Sequence, residues 1–497
     1  MSKSLRLASA DREFFALVAR AAFANPFSAA REEVDAQIVG AAPRTDRATQ
    51  VDQAAARVRE RIGALDKAGA ADLRTYAAED AAALGTAHLF DVFHQYLEAF
   101  DRLLRDQIRA GDESLPVPFA RDALASLAQR GFAADEAARY FAMFYQLRRA
   151  FYFIDRGLTG DCASMRQLRA RLWNNVFTRD IRLYERHLWD RMEDFSTLLL
   201  GETGAGKGAA DAAIGRSGFI PFDARQGRFV ESFMRGFIAL NLQQFPAALI
   251  ESELFGHRKG AFTGAVEAHE GVFARCSPHG AIFLDEIGDV SVPLQIKLLQ
   301  VLQERTFTPV GGHERRRFAG RVIAATNKPL ADLRRQGAFR DDFYYRLCSD
   351  VIEVPPLRQR LAEEPPELDR LLRHLVARLT GREDVALARE IRDTLRLSPG
   401  RAYAWPGNVR ELEQAVRRIL LTGGYAGQPS AAAGPRDRYL AGVEGGLLDA
   451  EQVLAGYCAL LYRRHGTYEE VARRTRLDRR TAKRYVLAAG LTGAAKS

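Results

Sequence analysis

Cysteine is scarce in this 497-residue chain: Cys162, Cys276, Cys348 and Cys458 stand far apart. Their spacing fits neither a disulfide framework nor a zinc site, and a reducing cytoplasm suits them best. No run of about 18 apolar residues occurs, so no transmembrane helix and no membrane partner are expected. The opening Met1-Ser2-Lys3-Ser4-Leu5-Arg6 leads into mixed charge and lacks the apolar core of a secretion signal. His88 and His94 are six residues apart, which suits neither the i,i+3 nor the i,i+4 geometry of a helix face, so a metal site there is not expected. Apolar residues are present in the ordinary globular share, 47%, enough for a large core. At about 150 residues per domain the length suggests three domains. The net charge of +9 suits a nucleic-acid partner, although only local clustering is informative.

Residues 1 to 155 read as helical and lack a strand-rich pattern. Phe14, Phe15, Leu17, Val18 and Ala22 recur at near-helical spacing. Asn25-Pro26 breaks that run, and Ser28 is placed to cap a helix over Ala29 to Ile38. Ala41 to Thr49 is small and polar, a loop by composition. Val51 to Leu65 alternates charges on an Ala-rich face, as solvated helices do. Leu89 to Leu104 reads as one amphipathic helix, and Gly111 to Pro118 as a turn-rich joint. The aromatic group Tyr140, Phe141, Phe144, Tyr145, Phe151, Tyr152 and Phe153 suits a bundle core better than a ligand pocket, since aromatics at helical spacing pack on one another.

The chemistry begins after Phe195 to Leu200, an apolar segment read as a buried strand. It runs into Gly201-Glu202-Thr203-Gly204-Ala205-Gly206-Lys207. That is G-x-x-x-x-G-K, the P-loop, whose glycines let backbone N–H groups cradle phosphate at a helix N-terminus, with Lys207 reaching the β- and γ-phosphates. A Ser or Thr that would hold magnesium is missing from the next position, which is Gly208. Ala281-Ile282-Phe283-Leu284-Asp285-Glu286 is an apolar strand ending in two carboxylates. There Asp285 would hold Mg²⁺ through water and Glu286 would polarise the attacking water. Two glycines bracket Phe262 in Gly260-Ala261-Phe262-Thr263-Gly264-Ala265. An exposed Phe at such a tip forgoes burial of roughly 2–3 kcal/mol unless a partner covers it. The alternative is an internal turn whose Phe folds back on its own domain. Toward the carboxy terminus, Tyr468 to Thr475 and Arg479 to Ala488 flank the turn Arg476-Leu477-Asp478, which is helix-turn-helix spacing. From Tyr462 to Tyr485 nine Lys/Arg face three acids, a balance of 9 − 3 = +6, which suits phosphate contact.

Taken together, ESELFGHRKGAFTGA over residues 251–265, the P-loop and the carboxylate pair resemble bacterial enhancer-binding proteins, the AAA+ ATPases that activate sigma-54 RNA polymerase. The resemblance implies a multidomain α and α/β chain. Its parts would be a helical regulatory domain over 1–155, an AAA+ P-loop α/β core over 156–350, a helical lid over 351–422, a linker over 423–446 and a helix-turn-helix over 447–497. It implies ATP and Mg²⁺ as cofactors, with sigma-54 holoenzyme, double-stranded enhancer DNA and a homo-hexamer as partners. Phe262 and Thr263 would touch the sigma factor. Asn241, ending Phe237-Ile238-Ala239-Leu240, would hold the catalytic Glu286 in check. Asn327, ending Val322 to Thr326, would be sensor I. Arg340 and Arg346 would be arginine fingers, and Arg410 in Trp405-Pro406-Gly407-Asn408-Val409-Arg410 would be sensor II. Arg479, Arg480, Thr481, Lys483 and Arg484 would face DNA.

The chain departs from the family pattern in several places. The first third has no phospho-acceptor receiver signature. Gly208 stands where the family commonly has an acidic residue, so magnesium depends on Asp285, phosphates and water. Two extensions, Leu172 to Phe195 and one around Phe219 to Met234, flank the nucleotide motifs; they read as a contact with the amino-terminal domain or as loop decoration. An ATP-driven activator is the leading reading. Its rivals are a DNA-bound ATP sensor with weak hydrolysis, which Gly208 would favour, and a general AAA+ remodeller, which the GAFTGA loop and basic tail oppose.

Overall fold

Five short apolar stretches pair side by side as one parallel sheet, because each is followed by a segment that returns across a face. They are β1 (Thr197–Leu200), β2 (Phe237–Asn241), β3 (Ala281–Asp285), β4 (Arg321–Thr326) and β5 (Asp350–Glu353), in the order β2-β3-β4-β1-β5. These are the features of a computed structural model describing residues 5–40, 47–400, 403–427, 439–440, 442–443, 446 and 448–489. Residues alternate between the two faces. Leu199, Phe283, Ile323 and Ala325 join one core, and Leu198, Ile282, Leu284, Val322 and Ala324 join another. The second core is closed by helices Val292–Glu304 and Asp341–Leu347.

The first core extends well beyond the sheet. It continues into Phe100, Leu104, Phe141, Tyr145 and Ile154 of the amino-terminal helices, so the helical and α/β regions share one hydrophobic interior. Helix Ala134–Gly157 carries the chain straight through position 155, and Ala163–Phe177 follows. A separate small core, including Phe15, Val18, Ile38, Val58 and Leu84, closes the first helices. Ser28 caps Ala29–Val39 as expected, its side chain accepting from the Arg31 amide. Helix Arg47–Lys67 begins inside the stretch read as a loop, and residues 41–46 of that stretch lie outside the described ones. The single helix expected over Leu89 to Leu104 is two, Ala78–Gln95 and Leu97–Ala110, broken at Tyr96. That break lets Phe100 and Leu104 turn into the interior while Tyr96 stacks on Phe119.

The chain divides into two compact units, residues 1–392 with 407–416, and residues 393–406 with 417–497. In the second, helices Ala450–His465, Tyr468–Thr475 and Arg479–Ala488 enclose Cys458, Leu461, Val471, Ala482 and Val486. Each start is capped, by Asp449, Thr467 and Asp478 in turn, which supplies acceptors for amides a helix start leaves orphaned. Part of the expected linker, 428–438, lies outside the described residues. Beyond it Tyr439, Leu440, Gly442 and Val443 are helical, and the Tyr439 ring covers Gly456 with its hydroxyl donating to the Val453 carbonyl (2.7 Å). Among the described residues no helix is long and apolar enough to cross a membrane.

Candidate nucleotide site and contact loop

In open α/β sheets ligands bind beyond the carboxyl ends of the strands, and that is where the motif residues gather. β1 delivers Gly201, and helix Lys207–Gly215 starts at the far side of the loop. Gly204 and Gly206 hold φ of 77° and 114°, a left-handed backbone that favours glycine. A side chain at Gly204 would strike the Gly407 carbonyl and Arg410. Lys207 is buried, and its ammonium donates to the Gly201 (2.8 Å) and Glu202 (3.3 Å) carbonyls. Burial lowers its pKa, Glu286 and Asp285 oppose that shift, and Arg410 adds to it. A helix N-terminus, an ammonium and two carboxylates beside one loop form a donor set that fits a nucleoside triphosphate with Mg²⁺.

Asp285 ends β3, and Glu286 behind it is buried at φ 58°. The Asn327 amide lies 3.4 Å from the Glu286 carboxylate, and the Asn327 side chain donates to the Thr203 hydroxyl (2.8 Å). Asn327 thus links Glu286 to the P-loop. Asn241 differs from expectation. Strand register sets it opposite Asp285, and its side chain donates to the Asp285 carboxylate (3.3 Å), whereas Glu286 turns toward β4. The positive φ at Glu286 turns the chain at the strand end and separates the two neighbouring carboxylates.

Three residues of this site had not been singled out from the sequence. Asn408 is buried at φ 54°; its amide donates to Glu202 and to the Thr203 carbonyl (both 3.1 Å), and its oxygen accepts from the Leu357 amide (2.7 Å). Arg358 forms a two-pronged ion pair with Glu202 (2.6 and 2.7 Å). Both fasten the P-loop to the lid segments. Asp211, one helical turn after Lys207, is buried, and burial together with the nearby Asp285 raises its pKa to about 8. A lone acid in the Ala-rich run KGAADAAIG was the available signal. A Cβ at Gly208 would meet nothing within 4 Å, so space for a magnesium-holding side chain exists and only the side chain is missing.

The Asp211 shift sets a pH dependence. A carboxyl whose folded pKa is raised binds more protons folded than unfolded, so stability falls as pH rises between about 4 and 8, by up to about 1.4 kcal/mol per pH unit. Urea unfolding across pH 5 to 9 should show that slope, and Asp211→Asn should flatten it and stabilise the protein on the alkaline side. Parallel curves for the two proteins would mean Asp211 ionises normally.

The arginines fall into distinct settings. Arg340 pairs with Asp342 (2.6 Å) and is partly exposed. Arg346 donates twice to the Leu302 carbonyl (2.9 and 2.7 Å), so its guanidinium is engaged within its own chain. Arg410 lies against Gly204 in the P-loop. In the carboxy-terminal unit Arg480, Lys483 and Arg484 are exposed along one helix, and Thr481 at its start is half-buried. Arg479 is exposed but bonded to Glu469 (2.8 Å).

The GAFTGA stretch forms a projecting turn. Helix Ala247–Phe255 stops at Gly256, and His257 bridges to His269 and Val310 at the stem. The Gly260 amide donates to Ala265 (2.8 Å) and the Ala265 amide to Phe262 (3.0 Å), closing the tip, where Gly260 and Gly264 hold φ of 81° and 101°. Ala261 is half-buried and Ala265 buried, whereas Phe262, Thr263 and Gly264 are exposed; Phe262 leans edge-on against His257 at 4.9 Å. Of the two readings open for Phe262, the solvent-facing tip is the one observed.

Both extensions dock on the amino-terminal helices, so they are contacts and not decoration. The second forms a hairpin, Phe222–Asp223 with Arg228–Phe229. The Val117 amide donates to Gly227 (2.8 Å), Ser114 to the Phe229 carbonyl (2.7 Å) and Ser232 to the Gly111 carbonyl (2.6 Å). Phe141 meets Phe222 at 4.8 Å, and Tyr145 stacks on Phe229 at 4.2 Å. Deeper in, Arg149 donates to the Arg216 (2.8 Å) and Gly218 (2.7 Å) carbonyls, and Gln146 donates to the Ser217 carbonyl (2.9 Å). Those carbonyls leave the carboxyl end of the very helix that begins at Lys207. The first extension contributes Trp173, Phe177 and Tyr184 to the same interior.

Known proteins are similar to this chain chiefly over the α/β region. The sigma-54 interaction domain family matches residues 181–353. The nitrogen fixation protein VnfA of Azotobacter vinelandii is 42% identical over 226 residues, 46% of this chain and 40% of VnfA. The transcriptional regulator NtrC of Azospirillum brasilense is 41% identical over 226 residues, 46% of this chain and 43% of NtrC. ZraR of Klebsiella oxytoca is 38% identical over 300 residues, 58% of this chain and 62% of ZraR. The chain thus matches less than half the length of the first two relatives. NtrX of Brucella abortus, whose structure was solved with ATP, is similar at a TM-score of 0.39 and 22% identity, over 74% of this chain and 80% of NtrX.

Proposed function

We propose that this chain, whose residues 181–353 belong to the sigma-54 interaction domain family, is a DNA-tethered activator that uses ATP hydrolysis to remodel sigma-54 RNA polymerase. The observation that carries the reading is the exposed Phe262 tip, joined through helix Ala247–Phe255 to Asn241, which bonds Asp285. A change at Asp285 thereby reaches the tip through one hydrogen bond and the chain from Asn241 to Phe262. Bound ATP with Mg²⁺ supplies the phosphoanhydride whose cleavage powers the movement.

Lys207 and the helix start hold phosphate, Asp285 orients the metal's water shell, and Glu286 polarises the attacking water. Asn327 and Arg410 report the state of the γ-phosphate from either side of the P-loop. Arg340 is the better-placed finger for a neighbouring subunit, since it need exchange only the Asp342 carboxylate, while Arg346 must first release Leu302. Fingers acting in trans call for a ring, a hexamer by resemblance. Arg480, Lys483 and Arg484, with Thr481 and Arg479 beside them, suit phosphate and major-groove contact on an enhancer site. Transcription places the protein in the cytoplasm.

Phe262→Ala should leave ATP turnover within about twofold, because no nucleotide-site contact is made by that ring. Its binding to sigma-54 should weaken roughly 30- to 100-fold, the equivalent of about 2–3 kcal/mol of lost apolar burial. Open-promoter formation with sigma-54 holoenzyme should fall accordingly. Unchanged promoter opening would remove Phe262 from the interface. Gly208 favours a second reading, a DNA-bound ATP sensor with feeble hydrolysis; tight ATP binding with negligible turnover by the full chain would select it.

A further inference from the structure

Helix Ala134–Gly157 presents different residues to its two sides. Gln146 and Arg149 grip the end of the P-loop helix. On the opposite side Tyr140, Phe144, Leu147, Phe151 and Asp155 follow helical spacing and line a cavity of about 980 Å³. Its other walls come from helices Ser9–Phe23 and Ala78–Gln95, through Ala22, Phe23, Leu89 and Phe93, and from Trp173. Pockets of about 300–1,000 Å³ hold small organic ligands, and an apolar hollow of this size is an exception among close-packed interiors. We propose that this cavity is an effector site for an uncharged, largely apolar small molecule carrying at most one hydrogen-bond donor, and that occupancy is transmitted along helix Ala134–Gly157 to the P-loop helix.

The lining chemistry sets the ligand class. Most of the wall is aromatic or aliphatic. Its ionisable residues include five arginines and four carboxylates, so neither sign dominates. Arg31, Arg148 and Arg182 at the cavity are each already held by a carboxylate, Asp35, Asp101 and Asp180. An anionic ligand meeting any of these three would have to displace its partner; of the other two, Arg47 faces Glu32 at 3.9 Å and Arg186 is exposed to solvent. His94 in the lining donates from Nδ1 to the Phe90 carbonyl (2.8 Å), and burial lowers its pKa to about 4, so the ring is neutral and Nε2 is left as an acceptor. One N–H or O–H on the ligand would match it. The transmission route is short: Leu147 and Phe151 in the cavity alternate along the helix with Gln146 and Arg149. A rotation or shift that accommodates a ligand also moves the side chains holding Arg216, Ser217 and Gly218.

Isothermal titration of the full chain with indole and toluene, without nucleotide, tests the site directly. One saturable site per chain is expected, with affinity weakened at least tenfold in Leu147→Trp and in Ala22→Phe, whose far-ultraviolet circular dichroism should match the parent. Benzoate should bind at least tenfold more weakly than indole. No saturable binding of either neutral probe overturns the proposal, as does binding that both filling variants leave intact; equal affinity for benzoate overturns the ligand class. The coupling rests on the nucleotide site proposed above and is read separately. Indole should shift the affinity of a fluorescent ADP analogue at least threefold, and Arg149→Met should abolish that shift while indole still binds. Indole binding with no shift overturns the transmission alone, and an analogue that does not bind at all faults the nucleotide site instead.

Discussion

Glu286→Gln should lower ATP turnover by about 10²–10⁴-fold, the usual contribution of a positioned acid–base group, with nucleotide affinity changed by less than about tenfold. The substitution is isosteric, so the buried turn at φ 58° and the approach of the Asn327 amide are preserved. What is lost is the negative charge proposed to polarise the attacking water. Lys207 loses the nearby Glu286 charge that opposes its pKa shift but keeps its bonds to the Gly201 and Glu202 carbonyls, which is why affinity is expected to change only modestly. The measurement is steady-state phosphate release beside equilibrium binding of a fluorescent nucleotide. Turnover within threefold of the parent would move the water-polarising role elsewhere, with Asp285 the first candidate, since Asn241 bonds that carboxylate and not Glu286.

Arg149→Met should destabilise the joint between the amino-terminal helices and the nucleotide domain by about 3 kcal/mol or more. Two hydrogen bonds from a charged donor are removed, each worth about 1.5–3 kcal/mol in such settings, and the Arg216 and Gly218 carbonyls are left without that donor. Methionine keeps much of the volume, so the loss reports the bonds more than a cavity. Arg149 is fully buried with a pKa lowered to about 10 by burial, so it is charged at neutral pH. The Tyr145 and Phe233 rings near its guanidinium, at 4.7 and 5.5 Å, lessen the cost of holding that charge out of water. Urea unfolding and limited proteolysis of the 216–236 segment are the checks. A loss under 0.5 kcal/mol with unchanged protease resistance would make this contact incidental.

Several local backbone requirements were legible from residue order, although the positive φ at Glu286 and Asn408 was not. The P-loop needs glycine where φ is positive, at Gly204 and Gly206. The turn around Phe262 needs it at Gly260 and Gly264, and a helix start needs a cap such as Ser28. Apolar runs ending in Asp285 or Asn327 announce strands whose carboxyl ends meet. These signals lie within a few residues of one another, so the chain carries them before it folds.

Tertiary structure decided the rest, because the deciding partners are far apart in sequence. Strand register, not spacing, gave Asn241 to Asp285, and the turn at Glu286 separated that carboxylate from its neighbour. Tyr96 breaks a helix that periodicity alone would continue, since the interior formed with Phe119 and Phe141 asks for a different direction. Asp211 looked like one acid in an alanine-rich helix until burial beside Asp285 changed its ionisation. The segment around Phe219 to Met234 reads as an insertion by itself; only the fold brings its Phe222 and Phe229 onto Phe141 and Tyr145 of a much earlier helix. The sequence by itself determined the P-loop, the paired carboxylates and a glycine-bracketed Phe262 turn. The fold determined that the amino-terminal helices hold the far end of the P-loop helix, since the aromatic residues of both regions are buried only when they share one core.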